Sequence, residues 1–435
     1  MSIENITRSE RMIAIHFEKL FGRFNYDVVL NKEGLTILTG PNGYGKSTIL
    51  KSIEAIGNEL LGIVYFFSLD FRKITVCFQN EKRVVIEKKE DSVIINDIRI
   101  DGELFRNGLE GIMERRPYFV RVDEDTWLDR RRGVRYSMNE YLAEIYFKEQ
   151  NQRMIMDNSG VLPEEILSLL KNMKQLLGEV YFIREQRLIR ESRNGRDEQE
   201  VVNIIEELPN KFRDLIGRVQ QDYSAISNRL DSTYPNRLFD NEEEITEDEY
   251  KQKMQEMTDK FEKMSKYDLS TMQITANFIF KEEHAKALKI YFDDFDVKYG
   301  VYEDFIHKLE LYTDIINNRL SFKKIKISKK YGIDIVDENG KRLRLNQLSS
   351  GEKQEIVLFY ELIFGTQENV LLMIDEPEIS LHITWQKKFM DDLLRIIEYK
   401  GINVIVATHS PQIINNHWDR QIDLGELYGK QLDKK

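Results

Sequence analysis

Gly40–Thr48 reads GPNGYGKST. The apolar run LTILT precedes it and TILKSIEAIG follows, so a strand leads into a glycine-punctuated loop and then a helix. The spacing fits G-x-x-x-x-G-K-[ST], in which glycines let backbone N–H groups curl around phosphate oxygens. Asn42, Gly43, Gly45, Lys46, Ser47 and Thr48 are therefore candidate nucleotide-binding residues. Lys46 is placed to reach the β- and γ-phosphates and the Ser47 hydroxyl to ligate Mg²⁺, so ATP and Mg²⁺ are the expected substrate and cofactor. A merely structural glycine turn is the competing reading, and the strand–loop–helix placement argues against it.

A second stretch supplies what such a loop needs. VLLMIDEPEISLH (Val370–His382) carries apolar residues into Asp375 at a strand's carboxyl end, where α/β sheets present ligands. Asp375 is a candidate Mg²⁺ ligand. Glu376, one residue on, is a candidate general base for the attacking water. A plain acidic loop would read the same in isolation. In VIVATHSPQII (Val404–Ile414) another apolar strand ends in Thr408, His409 and Ser410. His409 is a candidate catalytic residue able to hydrogen-bond a γ-phosphate oxygen and sense its loss, whereas His16, His284, His307 and His417 read as structural. Six histidines and one cysteine offer no zinc spacing and no nuclease-type metal cluster.

The 435 residues suffice for one elaborated domain or two to three ordinary ones. A single cysteine, Cys77, excludes a disulfide framework and suits a reducing cytoplasm. No signal peptide is evident, and the longest apolar run, LLGIVYFF, is too short to cross a bilayer, so no membrane partner is expected. The net charge of −11 argues against constitutive, non-specific DNA coating.

The architecture reads as split. Residues 10–60 and 322–425 carry the strands and motifs of one α/β head, with LTILTG, VLLMID and VIVATH as parallel strands covered on both faces. KITVCFQ, KRVVIEK and SVIINDIRI read as an antiparallel β arm. From about 136 onward the chain is expected to be helical. Val201, Ile205, Leu208, Phe212, Leu215, Val219, Tyr223, Ile226 and Leu230 recur at heptad-like spacing, interrupted by Pro209 and Pro235. A compact helical subdomain and a projecting antiparallel hairpin both fit this pattern. The expected divisions are an N-terminal lobe over 1–100, an inserted helical region over 101–320 and a C-terminal lobe over 321–435.

GPNGYGKST, LSSGEKQ (Leu348–Gln354), IDEPEISLH and ATHSPQII, in their chain positions, resemble the ABC-type ATPases. The likeness is to the bacterial branch holding RecF, SMC- and Rad50-like proteins, OLD-family ATPases and ATPase subunits of antiphage systems such as the Septu and PARIS types. It covers about 10–60 and 322–425, and the middle, about 60–320, is assigned to no family on these motifs. The implied fold is an ABC-type P-loop ATPase head with the antiparallel β arm and an inserted helical subdomain, for which a coiled-coil-like form is one reading. The resemblance makes LSSGEKQ the signature, whose Ser349 and Gly351 N–H would contact the γ-phosphate held by a second copy. Glu352 stands where transporters commonly have glutamine. Gln79 and Gln186 both qualify as the family's Q-loop residue, and His382 falls in the region of expected dimer contacts.

The resemblance implies a homodimer or higher homo-oligomer that hydrolyses ATP when paired. OLD-family proteins carry a Toprim nuclease after the ATPase, whereas here only a short tail follows His409. The expectation is therefore a cytoplasmic ATPase subunit of an antiphage system with a separate effector, such as an HNH or Toprim nuclease. A stand-alone RecF-like repair ATPase is the alternative, with DNA as a possible partner through the arginines at 130–132 and 187–196, which otherwise read as solvated faces or ion pairs. The roughly three-hundred-residue stretch between Lys46 and Leu348 argues against a transporter ATPase.

Overall fold

The computed structural model describes residues 11–114, 117–123, 126–131, 133–137, 162–184, 189–194, 198–270, 280–367 and 370–432. The chain forms two compact units: Met1–Glu185 with Thr366–Lys435, and the intervening Gln186–Gly365.

In chain order the first unit opens with β1 (Met12–Leu20), β2 (Phe24–Val29), β3 (Leu35–Thr39), α1 (Lys46–Gly57) and α2 (Glu59–Ser68). Strands β4 (Lys73–Phe78), β5 (Arg83–Lys89), β6 (Ser92–Ile95) and β7 (Ile98–Asp101) follow. Next come α3 (Gly102–Glu114), β8 (Phe119–Arg121), β9 (Thr126–Asp129), β10 (Val134–Ser137), α4 (Glu164–Leu177) and β11 (Val180–Ile183). The second unit contains β12 (Ile189–Asn194), β13 (Glu198–Asn203), α5 (Ile204–Asp240), α6 (Glu247–Lys266) and α7 (Ala285–Asn317). It ends with β14 (Lys323–Ser328), β15 (Gly332–Asp337), β16 (Arg342–Leu343) and α8 (Ser350–Tyr360). The chain then returns to the first unit with β17 (Leu371–Asp375), α9 (Ile383–Lys400), β18 (Asn403–Ala407), α10 (Pro411–Ile414), β19 (Gln421–Asp423) and α11 (Leu424–Leu432).

The sheet that positions the site has the order β11-β17-β18-β3-β19, and every neighbouring pair is parallel. All residues of β3 and β17 are buried, as expected when both faces are covered and the strand sequence is continuously apolar. Asp375 pairs with Ala407 and Ala407 with Leu38, so the three motif-bearing strands end level with one another. The run Val180–Ile183 lies in the region expected to be helical, yet it forms the edge strand beside β17. Its register is supplied by a strand that arrives nearly two hundred residues later.

A second, antiparallel sheet has the order β2-β1-β4-β5-β6-β7. The expected β arm is therefore continuous with the two N-terminal strands. The run SVIINDIRI is divided into two strands by Asn96 and Asp97, both at positive φ (45° and 70°). Ile15, Phe17, Ile74 and Ile86 from this sheet share one core with Leu38, Ile49 and Ile53 and with Val64 and Phe66 of α2.

In the second unit α5 spans 37 residues, about 55 Å at 1.5 Å per residue. Pro209 and Pro235, read as interruptions, both lie inside it. Each costs a hydrogen bond, and the burial of Leu208, Phe212 and Ile216 around the first proline opposes that cost. Arg237 meets Asp294 of α7, Tyr223 stacks on Tyr302 and Phe212 packs on Tyr312, so α5 and α7 run antiparallel. Tyr250 meets Phe292 and Tyr267 meets Thr313, so α6 lies along α7 in the same direction. Gly332, at φ 71°, lies so close to α5 that a Cβ there would come 1.9 Å from the Pro209 carbonyl oxygen.

Candidate functional site

The loop from Gly40 to Gly45 leaves the carboxyl end of β3 and enters α1 at Lys46. Gly45 is the N-cap, at φ 92°, with no side-chain hydrogen bond to the first turn. That conformation favours glycine and leaves the opening N–H groups of α1 available to an anion. The loop is anchored from outside. The Tyr26 hydroxyl donates to the Tyr44 carbonyl at 2.9 Å, and the Tyr44 ring packs against both Phe24 and Tyr428, which also meet each other. Burial raises the Tyr26 phenol well above its ordinary range, so this donor stays protonated. Lys46, only 5% exposed, donates to the Gly40 carbonyl at 2.9 Å and lies 3.9 Å from a Glu376 oxygen.

At the end of β17, Asp375 is 9% exposed and accepts a hydrogen bond from the Ser47 hydroxyl at 3.1 Å. Two hard oxygen donors are thus adjacent beside the loop, a set suited to Mg²⁺, which takes one or two protein oxygens and completes its shell with phosphate and water. Glu376 adopts a left-handed conformation (φ 47°, ψ 56°), and its N–H donates to the Ala407 carbonyl. This turn, with the short helical turn Pro377–Ser380, sends the two glutamates of DEPE to the end of β18.

There they meet His409. Its Nδ1 faces an oxygen of Glu376 and lies 3.1 Å from Glu378 Oε1. The same Glu378 oxygen accepts from the Thr408 hydroxyl at 2.7 Å and from the His409 N–H at 2.9 Å. Glu378 is 8% exposed. Burial raises the proton affinity of Glu376, and the Glu378 charge raises it further, against the opposing pull of His409 and Lys46. A carboxylate so placed is a stronger base than one in water. Beside these groups opens a cleft of about 460 Å³ bordered by Gly40, Asn42, His409, Ile414, Trp418 and Asp423.

Lys46, Ser47, Asp375, Glu376 and His409 are brought together as the three-motif reading requires. Glu378 was not singled out, although the second glutamate of DEPE was its signal in the sequence. Gln79 is exposed, and its N–H bonds to Arg11, at the opposite end of β1 from Leu20. Leu20 is the end that touches Gly45, so Gln79 is displaced from the loop by about 25–30 Å along the strand. Gln186 lies outside the described residues. His382 caps α9, with Thr384 as its partner. His16 pairs with Asp27 and His417 with Asp391, as structural histidines do.

Ser349 and Gly351 belong to the second unit. Ser349 caps α8 in a reciprocal box: its hydroxyl accepts from the Glu352 N–H, and its own N–H and hydroxyl donate to the Glu352 carboxylate at 2.8 and 3.0 Å. Lys323 bonds both oxygens of that carboxylate. Glu352 is therefore the capping partner of Ser349, and S-x-x-E is the sequence signal for it.

The profile of the AAA ATPase domain family matches residues 19–414. The chain belongs to this family. Family membership makes it an ATPase-type, nucleotide-binding protein. It is 31% identical over 144 residues to the retron Ec83 probable ATPase of Escherichia coli, covering 30% of this chain and 26% of that protein. It is 37% identical over 81 residues to the phosphonates import ATP-binding protein PhnC 2 of Rhodopseudomonas palustris (strain BisA53), covering 19% and 29%. The matches thus span under a third of the length of these relatives. Among solved structures it resembles the SMC head domain from Thermotoga maritima, at 13% identity and TM-score 0.33 over 93% of this chain and 91% of that one. A likeness of that size carries no functional conclusion. Among the described residues no helix is long and apolar enough to cross a membrane.

Proposed function

We propose that the chain binds ATP with Mg²⁺ at Gly40–Thr48 and hydrolyses it when two copies pair, as the nucleotide-driven subunit of a bacterial antiphage system. The observation that supports this most is the convergence of Lys46, Ser47, Asp375, Glu376 and His409, from three separate stretches, at one sheet edge. Arriving phosphates would take Lys46 from the Gly40 carbonyl, since a charged partner outcompetes a neutral one. The N-terminal amides of α1 hold the phosphate oxygens. Ser47 and Asp375 would hold Mg²⁺, which supplies charge neutralisation on the phosphates when bound. Glu376 takes the proton of the attacking water. His409, with Nδ1 committed to the two glutamates, keeps Nε2 for a γ-phosphate oxygen.

In this reading Ser349 and the Gly351 N–H of a second copy complete the site, presented by the capped N-terminus of α8. The helical region inserted between the two ATPase lobes carries the response to a separate cytoplasmic effector, such as an HNH or Toprim nuclease. Similarity to a retron ATPase favours the defence role, of which the Septu and PARIS systems are the pattern. A DNA-binding repair role is less favoured. In the first basic stretch Arg131 is engaged by Asp129 and stacked 3.4 Å from the Tyr118 ring centroid; the described side chains exclude those of 187–196.

Mass photometry of Glu376→Gln with and without ATP tests the pairing. A dimer appearing only with ATP, and absent in the additional Lys46→Ala variant, is expected. A monomer at saturating ATP would sink the proposal.

A further inference from the structure

The sequence shows no zinc spacing, but the fold assembles a donor set that spacing could not reveal. One ligand atom each from Glu376, Glu378 and His409 lies within 4.8 Å of the others. Two of these residues are separated by one proline, and the third comes from the end of the adjacent strand, 33 positions along the chain. We propose that Glu376, Glu378 and His409 bind one borderline-soft divalent cation, of the Zn²⁺ class, in the nucleotide-free protein.

Three observations carry the assignment. Two carboxylates converge on a single imidazole nitrogen, so two anions face one another across one ring atom. A divalent ion in that position balances both charges. Secondly, Glu378 is buried, yet its Oε2 has no hydrogen-bond partner among the described residues. An unmet buried carboxylate oxygen is costly, and a metal ion is one of the few partners that satisfies it. Thirdly, the groups are held before any ion arrives. Glu378 is fixed by Thr408 and by the His409 backbone, and Glu376 by its N–H to Ala407.

One imidazole nitrogen with two carboxylate oxygens is a three-ligand set that leaves a fourth position for water. It selects against Mg²⁺, which avoids imidazole and suits the all-oxygen pair Ser47 and Asp375. Binding uses the Nδ1 lone pair, so a proton there moves to Nε2 or to solvent as the cation enters. The site lies within the machinery proposed for hydrolysis, and the bound ion would withhold both Glu376 and His409 from it. The cation site itself does not depend on that reading.

The test uses the nucleotide-free full chain with Zn²⁺ by calorimetry and Co²⁺ by visible absorption. One cation per chain is expected, in the presence of millimolar Mg²⁺, with a tetrahedral Co²⁺ spectrum. His409→Ala should abolish binding, and Glu378→Gln should weaken it at least tenfold while melting cooperatively. Lys46→Ala removes an ammonium near Glu376 but no ligand, so it should lose ATP binding and keep the cation. That contrast separates failure of the metal site from failure of the ATPase reading. Unchanged stoichiometry and affinity in His409→Ala, or loss of the cation in His417→Ala instead, would overturn the proposal, as would no uptake by the wild-type chain. If the site is as described, Zn²⁺ also inhibits ATPase activity reversibly, and the inhibition midpoint in Glu378→Gln rises by the factor seen in binding.

Discussion

Replacing Glu378 by alanine removes an acceptor shared by two donors at the end of β18. The Thr408 hydroxyl, on a fully buried residue, reaches it at 2.7 Å and the His409 N–H at 2.9 Å. A buried donor left without a partner costs about 1–3 kcal/mol, so the two together set about 2–6 kcal/mol. One relief works the other way. Alanine also deletes a buried carboxylate whose second oxygen is unmet, recovering about 1–3 kcal/mol. The net expectation is a loss of about 1–3 kcal/mol. At about 2–4 °C per kcal/mol for a unit of this size, the melting transition should fall by about 2–12 °C. Glutamine keeps a carbonyl oxygen for both donors and should cost about 1 kcal/mol or less. Thermal denaturation followed by circular dichroism compares the three proteins without nucleotide, and amide exchange at His409 localises the effect. Alanine and glutamine variants that melt together, or an alanine variant within about 0.5 kcal/mol of wild type, would refute the reasoning.

Glu376→Gln should lower the ATPase rate by about 10²–10⁴-fold with ATP affinity retained, and a variant faster than one-tenth of wild type contradicts its role as base. The acid limb of the rate–pH profile should report Glu376, because its ionised form is the base and activity is lost as pH falls through its raised pKa. Its upward shift comes from burial first and from the Glu378 charge second, so Glu378→Gln should move that limb to lower pH; a limb that stays or rises argues against this pairing. Gly332→Ala sets a Cβ 1.9 Å from the Pro209 carbonyl at a φ of 71° and should cost about 2–4 kcal/mol. A urea midpoint unchanged in that variant would show that α5 yields there freely.

Strands buried on both faces were legible because burial fixes their composition: LTILT, LLMID and VIVA need no partner to be recognised. Val180–Ile183 was not. Four apolar residues after the helix Glu164–Leu177 fit either period, and only pairing with β17 decides between them. The prolines misled for a related reason. A proline's local cost is visible in sequence, whereas the aromatic cluster of Phe212 with Tyr312, Tyr360 and Phe364 that opposes it is assembled from distant segments.

The site shows the same division between what a motif states and what a fold adds. Lys46, Asp375 and His409 could be placed because Asp375 ends a strand and the other two follow one, His409 directly and Lys46 through the glycine loop, and a parallel sheet brings such ends to one edge. Glu378 stands three residues beyond that edge, where sequence gives no direction for a side chain. Its direction follows from Glu376 in a left-handed conformation, a strained choice for a glutamate. The strain accompanies a specific result: the chain reverses within one short turn, and Glu378 reaches the backbone that carries His409. Glu352, a charged residue in the capping box, has a comparable local consequence. A charged partner in the capping box binds Ser349 more strongly than a neutral one, and Lys323 offsets the charge it introduces. A phosphate approaching Ser349 therefore meets a hydroxyl already committed to a carboxylate. In the proposed pairing, recruiting that hydroxyl would require the box to yield, and Glu352 would then set how readily Ser349 engages a nucleotide on a second copy.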